Sequence, residues 1–158
     1  MKRILAIDPG ASGGIVELYP NGVVVALAMP DDADLCDQIE SFAIAARADG
    51  ELPVCYMELV GGFIAGAKFP GSAMFNFGSG YGYLRGLLAA NRIETRLIRP
   101  QEWQAGIPGV RGVKEKAVRK RAMKEHAARL FPTTKVTLKT SDALCIADFG
   151  RRLEGGRS

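Results

Sequence analysis

The sequence has few of the residues that build zinc sites or nucleophilic triads. Among its 158 residues there is one histidine, His126, and the three cysteines show no CxxC spacing. A lone histidine argues against a zinc site and against a histidine-activated nucleophile. No serine stands in a GxSxG elbow, and the glycine-rich segment 10–14 lacks the lysine of a P-loop. These absences argue against zinc enzymes, serine hydrolases and P-loop nucleotide hydrolases.

Long hydrophobic runs are also missing. No stretch approaches the length of a membrane span, and the first apolar run is too short for a signal peptide and is broken by Asp8. Cys36, Cys55 and Cys145 lie far apart in apolar stretches, which indicates reduced and buried thiols. We therefore expect a cytoplasmic protein with no membrane partner.

The chain does have an ordinary globular composition and one basic segment. Hydrophobic residues make up 47% and charged residues 24%, which favours a folded chain, and the length suits a single domain over 1–158. From Arg111 to Lys139 there are ten Lys or Arg and two Glu, so this segment carries +8 and the rest of the chain −4. Such an uneven distribution predicts a polyanionic partner, although a solvated helix face would show the same pattern.

Hydrophobic periodicity predicts an α/β fold. Three β-rich runs open the chain at 3–7, 13–19 and 22–29, and Pro20-Asn21-Gly22 predicts a hairpin between the second and third. Helix-like and strand-like segments then alternate: a helix at 34–48, a strand at 54–57, a helix at 72–90, a strand at 93–98, a helical turn at 101–103, and helices at 114–130 and 141–153. This order predicts a mixed five-stranded sheet with helices on its faces.

The predicted helix at 72–90 contains an unusual number of glycines, and each lowers helix stability by about 1 kcal/mol. They are Gly78, Gly80, Gly82 and Gly86. So many glycines imply that something packs very close to the helix backbone, either the sheet of the same chain or a second copy of the chain. Trp103, the only tryptophan, is predicted to anchor the core.

Three acidic residues stand where elements end or begin. Asp8 ends the first predicted strand, Glu58 ends the fourth, and Asp142 opens the last helix. Carboxylates that converge without basic partners repel one another, and a divalent cation relieves that repulsion. Hard oxygen ligands favour Mg²⁺ or Mn²⁺, and two such ions can activate water and stabilise a leaving phosphate-ester oxygen. Each acid alone would also fit a turn, a sheet edge or a helix N-terminus.

Several stretches resemble the RuvC-type Holliday junction resolvases of the ribonuclease-H-like superfamily. The run from Ile4 to Gly10 resembles their opening motif, Tyr56-Met57-Glu58 resembles their second acidic motif, and 141–147 resembles the helix that carries their last acid. Segments 73–82, 100–103 and 130–132 resemble the phage-encoded branch of the family. The matches span nearly the whole chain in the family's order.

The resemblance implies a ribonuclease-H-like fold and a homodimer that hydrolyses phosphodiester bonds in four-way junctions or other branched DNA. Asp8, Glu58 and Asp142 would be the catalytic residues and the ligands of two Mg²⁺ or Mn²⁺ ions. Lys139 stands where the family usually has an acid or a histidine, and Asp148 lies roughly 240° around the helix from Asp142. Either three acids suffice, or Lys139 contacts the cleaved phosphate, or the site is degenerate.

The basic segment would supply the DNA contacts. Lys114 or Lys116 would meet the cleaved phosphate, as a lysine of this region does in the family. Arg119 and Lys120 would hold flanking backbone, a contact that is sensitive to salt and independent of sequence.

The loop after the fourth strand adds Lys68 and Phe69 as candidate DNA contacts. Phe63 and Phe69 would either stack on unpaired bases at a branch point or pack inward and anchor their own loop.

Two other functions remain open from the sequence. Because Lys139 stands where the family has an acid or a histidine, the chain could be a branched-DNA-binding protein whose metal site is weak or inactive. Asp8-Pro9-Gly10 and the following hairpin motivate an actin-like or sugar-kinase-like nucleotide-binding domain, although those proteins have much longer, two-lobed chains.

Overall fold

The structure is a computed structural model that describes residues 2–61 and 71–156. Phe63, Lys68 and Phe69 lie outside the described residues. The predicted order of elements is confirmed, with ends shifted by a few residues. In chain order the elements are β1 (Lys2–Asp8), β2 (Gly14–Leu18), β3 (Val24–Ala28), α1 (Asp32–Ala48), β4 (Leu52–Glu58), α2 (Gly71–Ala90), β5 (Glu94–Ile98), α3 (Pro100–Gln104), α4 (Lys116–Leu130) and α5 (Ser141–Gly155).

The five strands form one mixed sheet in the order β3-β2-β1-β4-β5. The first three strands pair antiparallel, whereas β4 runs parallel to β1 and β5 runs parallel to β4. The predicted fold class is therefore confirmed. Because the parallel register joins Ile7 to Met57, β1 and β4 end side by side, at Asp8 and Glu58.

Apolar side chains are buried on both faces of the sheet. Successive residues of a strand point to opposite faces, so Ile4 and Ala6 belong to one core and Leu5 and Ile7 to the other. The first core contains residues of α3, α4 and α5, and the second contains residues of α1 and α2. Burial on both faces explains why β1 is a continuous apolar run rather than an alternating one.

Helix α1 begins at the predicted acidic cap. The Asp31 side chain accepts a hydrogen bond from the backbone N–H of Asp34 at 3.0 Å. This bond satisfies one of the N–H groups that a helix start leaves free, and the acids of the first turn suit the helix dipole. The apolar stripe of α1 then packs on the second core.

Helix α5 lies close against the sheet and carries Asp142 in its first turn. A Cβ added at Gly150 would lie 2.6 Å from Cδ2 of Tyr56, so the helix can approach β4 this closely only with a glycine there. Most of the helix from Ser141 to Asp148 is buried, which fixes the position of Asp142 relative to the strands.

Helix α2 departs from the expectation of close packing within the chain. A Cβ added at any of its four central glycines would meet no atom within 4 Å among the described residues. Only Leu84 and Leu88 of α2 are buried there, and the Phe75 side chain is 75% exposed. The interpretation that the sheet of the same chain packs against these glycines is therefore wrong, and contact with a second copy stays a prediction.

The cysteines largely follow the prediction, since all three are free and Cys55 and Cys145 are buried, while Cys36 is partly exposed. Within residues 2–61 and 71–156, no helix has the length and apolar character needed to cross a membrane.

Candidate active site

The structure brings the three predicted acids to one edge of the sheet. Asp8 and Glu58 end neighbouring parallel strands, and Asp142 is the second residue of α5. Burial, followed by the negative charges of Asp142 and Glu58, raises the pKa of Asp8 to about 7. The carboxylates are therefore close enough to act on one another electrostatically, in an environment with less water than the surface.

Asp8 is followed by a tight turn. The backbone N–H of Gly13 donates to the carbonyl of Gly10 at 2.9 Å, and β2 then returns beside β1 with Gly14 opposite Asp8. A Cβ at Gly13 would clash with the backbone of Asp8. The glycines after Asp8 therefore allow this tight turn. Their spacing does not match that of a P-loop.

Glu58 is held by the buried tryptophan. The indole N–H of Trp103 donates to Oε2 of Glu58 at 3.1 Å, and the tryptophan itself is 1% exposed. Burial raises the pKa of Glu58, while the hydrogen bond from Trp103 acts in the opposite direction. The prediction that Trp103 anchors the core is confirmed. Its contact with Glu58 was not predicted, and no local pattern in the sequence points to it.

Both carboxylate oxygens of Asp142 have donors. The hydroxyl of Ser141 donates to Oδ1 at 3.0 Å, and the ammonium of Lys120 lies 2.5 Å from Oδ2. The Asp142 side chain is 9% exposed and that of Lys120 is 28% exposed. Lys120 was predicted to hold DNA backbone. Its ion pair with Asp142 was missed because Lys120 is one of ten basic residues in its segment.

The acids have the oxygen ligands that a divalent cation prefers, but their arrangement does not enclose one. Oxygens of Asp8 and Glu58 could supply hard ligands, and burial, followed by the charges of neighbouring carboxylates, raises the pKa of Asp8. Within the described residues, however, no group of three His, Cys, Asp or Glu side chains is arranged to hold one ion.

A cleft of about 810 Å³ opens beside the acids. Glu58 and Asp142 line it from the sheet side, and α3, α4 and the loop between them line the rest. Four of the lining residues are basic, which places positive charge next to the carboxylates: Arg111, Lys116, Arg119 and Lys120. Of the two lysines predicted to meet a phosphate, Lys116 lines this cleft, while Lys114 is exposed and is not among its described lining residues.

Lys139 and Asp148 contribute no further ligand oxygen from their side chains. Lys139 is exposed, and its backbone carbonyl packs against Gly14, where an added Cβ would lie 2.8 Å away. Asp148 is 4% exposed and binds Arg151 at 2.5 Å and Arg152 at 3.0 Å. Asp148 therefore does not replace an acid beside Asp142, in agreement with its position around the helix.

Comparisons with known proteins identify the fold. No family model matches the chain, and no curated protein matches it. A solved structure of Thermus thermophilus RuvC matches with a TM-score of 0.54 and 15% identity, over 96% of this chain and 96% of that one. The chain has the RuvC fold. A second structure, "T. thermophilus RuvC in complex with Holliday junction substrate", matches with a TM-score of 0.56 and 14% identity, over 97% and 96% of the two chains.

The yeast mitochondrial Holliday junction resolvase Ydc2 matches less well. Its TM-score is 0.48 and its identity 14%, over 98% of this chain and 79% of that one, so it adds nothing to the assignment. At these identities the likeness to RuvC establishes the fold alone, and any shared chemistry has to be argued from the residues of this chain.

Proposed function

We propose that the chain is a single-domain, metal-dependent endonuclease that resolves Holliday junctions and other branched DNA. The observation that carries this proposal is the convergence of Asp8, Glu58 and Asp142 at one sheet edge beside a basic cleft. The RuvC fold supports it, because a solved RuvC structure of that fold contains a Holliday junction substrate. Membership of the phage-encoded branch and a cytoplasmic location stay predictions.

Asp8, Glu58 and Asp142 are the proposed catalytic and metal-binding residues. Mg²⁺ or Mn²⁺ would supply an activated water and a positive charge beside the leaving oxygen. The three carboxylates would hold that ion at the edge of the sheet, and the Trp103 N–H keeps Glu58 in place.

The basic cleft is the proposed DNA surface. Lys116 and Arg119 line it within reach of a phosphate that enters beside Glu58 and Asp142. Such contacts bind backbone without reading sequence, which suits a substrate defined by its branching. Lys114, Lys68 and Phe69 stay predicted DNA contacts.

A homodimer is the proposed assembly, with α2 at its interface. The four central glycines of α2 leave its backbone uncovered among the described residues, and Met74, Phe75 and Phe77 are exposed on the same helix. An apolar helix face that the described residues leave uncovered suits contact with its symmetry mate. Two sites related by a two-fold axis would match the two symmetric cleavage points of a four-way junction.

Cleavage of a synthetic four-way junction tests the proposal. The parent protein should nick the junction in Mg²⁺ and not in EDTA. Asp8→Asn should lower the rate by more than about 100-fold, since loss of even a residue that supports a ligand costs 10–100-fold. Asp37→Asn, an exposed aspartate on α1, is the matched control and should cut normally. Equal cutting by Asp8→Asn and the parent would refute the assignment.

The alternative is a branched-DNA-binding protein with an inactive site. The ion pair between Lys120 and Asp142 favours it, because one of the three acids is already neutralised. Tight junction binding in EDTA, with no cutting in Mg²⁺ or Mn²⁺, would support this alternative, and measurable turnover would exclude it.

A further inference from the structure

The four basic side chains of the cleft differ in whether the fold already uses their charge. The ammonium of Lys120 lies 2.5 Å from Oδ2 of Asp142 and forms an ion pair with it. Among residues 2–61 and 71–156, the side chains of Arg111, Lys116 and Arg119 form no ion pair and no hydrogen bond. Of these four cations, only Lys120 therefore has an acidic partner in the described part of the chain.

The ion pair of Lys120 is sheltered from water, because the Asp142 side chain is 9% exposed and that of Lys120 is 28% exposed. Salt screens such a pair less than an exposed one. If Lys120 moved to a DNA phosphate, Asp142 would keep only Ser141 as a donor among the described residues. Its charge would then act on Asp8 and Glu58 without the ammonium beside it. Since removing one partner of a partly buried pair is strongly unfavourable, we expect Lys120 to stay on Asp142.

Arg119, the residue before Lys120 on α4, lacks an acceptor for a buried donor. Its Nε is buried and has no hydrogen-bond partner among the described residues, although its side chain lines the cleft beside Glu58 and Asp142. A buried N–H without an acceptor is unfavourable, and more so on a charged group. A planar guanidinium can turn Nε–H and a second N–H toward two oxygens of one phosphate. A phosphate in the cleft would therefore supply the acceptor that the described residues do not.

We propose that these two neighbouring residues have different roles: Arg119 binds a backbone phosphate of DNA, whereas Lys120 is a positioning residue that holds Asp142 and binds no phosphate. This inference rests on the proposed DNA-binding function of the cleft and assigns its cations. Lys116 lines the same cleft one turn before Lys120 and binds DNA in the same way as Arg119. Asp142 then limits the number of phosphate contacts, because it keeps one cation of the cleft away from the DNA.

The salt dependence of DNA binding tests the proposal without metal and without cleavage. Binding of the full chain to a fluorescent four-way junction is measured in EDTA by anisotropy over a range of KCl concentrations. Each phosphate contact steepens the plot of log K against log[KCl] by about 0.9, so Arg119→Met should lower the slope by that amount. Lys120→Met should leave the slope unchanged. Lys124→Met removes the same charge one turn further along α4, at an exposed position outside the lining of the cleft, and should also leave it unchanged.

Removing the acid is the sharper test, because a purely structural role of Lys120 would not produce its result. Asp142→Asn takes away the partner that holds Lys120, so the freed ammonium should reach a phosphate and steepen the slope by about 0.9. The double variant with Asp142→Asn and Lys120→Met should return to the slope of the parent. It leaves neither charge unpaired, so the comparison holds even if Lys120→Met alone does not fold.

The outcomes separate this inference from the proposed function. A lower slope in folded Lys120→Met, or an unchanged slope in Arg119→Met or in Asp142→Asn, would overturn the two roles and leave the nuclease proposal standing. An equal fall in Lys124→Met and Arg119→Met would also overturn the role of Arg119, since the loss would not depend on the cleft. If the parent does not bind the junction at low salt, both this inference and the proposed function are wrong.

Discussion

The two ends of the sheet arrange their charges in contrasting ways. Where β1, β4 and β5 begin, Glu154 accepts from Lys2, Arg96 and Tyr56, and Glu94 binds Arg96 and Lys2. Where the strands end, the ammonium of Lys120 pairs with Asp142, and its charge also acts on Asp8 and Glu58. Helix α5 spans both ends, with Asp142 in its first turn and Glu154 in its last.

The pKa values of the acids follow the same division. Hydrogen bonds from Tyr56 and Lys2 and the charge of Arg96 outweigh burial and lower the pKa of Glu154. Burial and neighbouring carboxylates raise the pKa of Asp8 to about 7. Balanced charges stabilise a fold, whereas acids kept together at a cost to stability mark a site that waits for a ligand. The comparison thus separates a charge cluster that is balanced within the fold from the cluster that we propose to bind a ligand.

The largest expected effect on stability comes from removing Glu154, at the end of the sheet where the acidic side chains are paired. Glu154→Ala removes the acceptor of three groups, and leaving partly buried donors unpaired should cost about 3 kcal/mol. For a chain of this length that corresponds to a fall in Tm of about 6–12 °C. Thermal unfolding followed by circular dichroism measures it, and cleavage at a temperature well below Tm should be unchanged.

Glu94→Ala is the matched control at the same end of the sheet. The Glu94 side chain is 55% exposed, so its ion pairs are screened by water and their loss should cost less than about 1 kcal/mol. If both variants lose stability equally, the paired cluster is not organised around Glu154.

The next largest effect on stability should come from replacing Asp8, at the end of the sheet where the three acids meet. Because the pKa of Asp8 is raised from 3.8 to about 7 in the folded protein, the folded state holds a proton that the unfolded chain has released. Asp8 therefore destabilises the metal-free protein increasingly as pH rises from about 4 to 7, and fully above 7. The shift sets an upper limit of about 4 kcal/mol, which solvent screening reduces to about 2.

Asp8→Asn removes that penalty, so the metal-free variant should be more stable than the parent at pH 8. At pH 5 its advantage over the parent should be smaller. Urea unfolding in EDTA at the two pH values measures the difference. Mg²⁺ should stabilise the parent and not the variant, since ligand binding to the folded state adds to its stability. A variant with the same stability as the parent at pH 8 would contradict the raised pKa.

The sequence predicts the fold and the positions of Asp8 and Glu58 at strand ends well, because both depend on local patterns. Apolar runs that stop at Asp8 and Glu58 define strand ends, and parallel pairing then places those ends together. The partners of the acids could not be predicted in this way. Lys120 and Trp103 reach Asp142 and Glu58 through tertiary packing, and ten basic residues of one segment offer the same local signal.

The glycines of α2 show a second limit of the sequence. Their number predicts a close neighbour, and in the described residues no such neighbour comes from the same chain. A pattern of small residues reports that a surface must be approached, but it does not say which molecule approaches it.

The smallest expected effect tests the neutral hydrogen bond from Trp103 to Glu58, at the sheet end that carries the three acids. Trp103→Phe keeps an aromatic ring in the core and removes the N–H that holds Oε2 of Glu58 at 3.1 Å. Since Glu58 would then be free to turn, cation affinity should fall by about tenfold, at the low end of the loss usual for groups that support a metal ligand. A Mn²⁺ titration well below the Tm of the variant measures the affinity.

Ile107→Val trims the same core without touching Glu58 and is the control for packing. It should lose about 1 kcal/mol of stability and keep the parent's cation affinity. If Trp103→Phe and Ile107→Val weaken the cation equally, Trp103 acts on the site only through the core. If only Trp103→Phe does so, the indole N–H is a positioning group for Glu58, and this hydrogen bond serves cation binding rather than the stability of the fold.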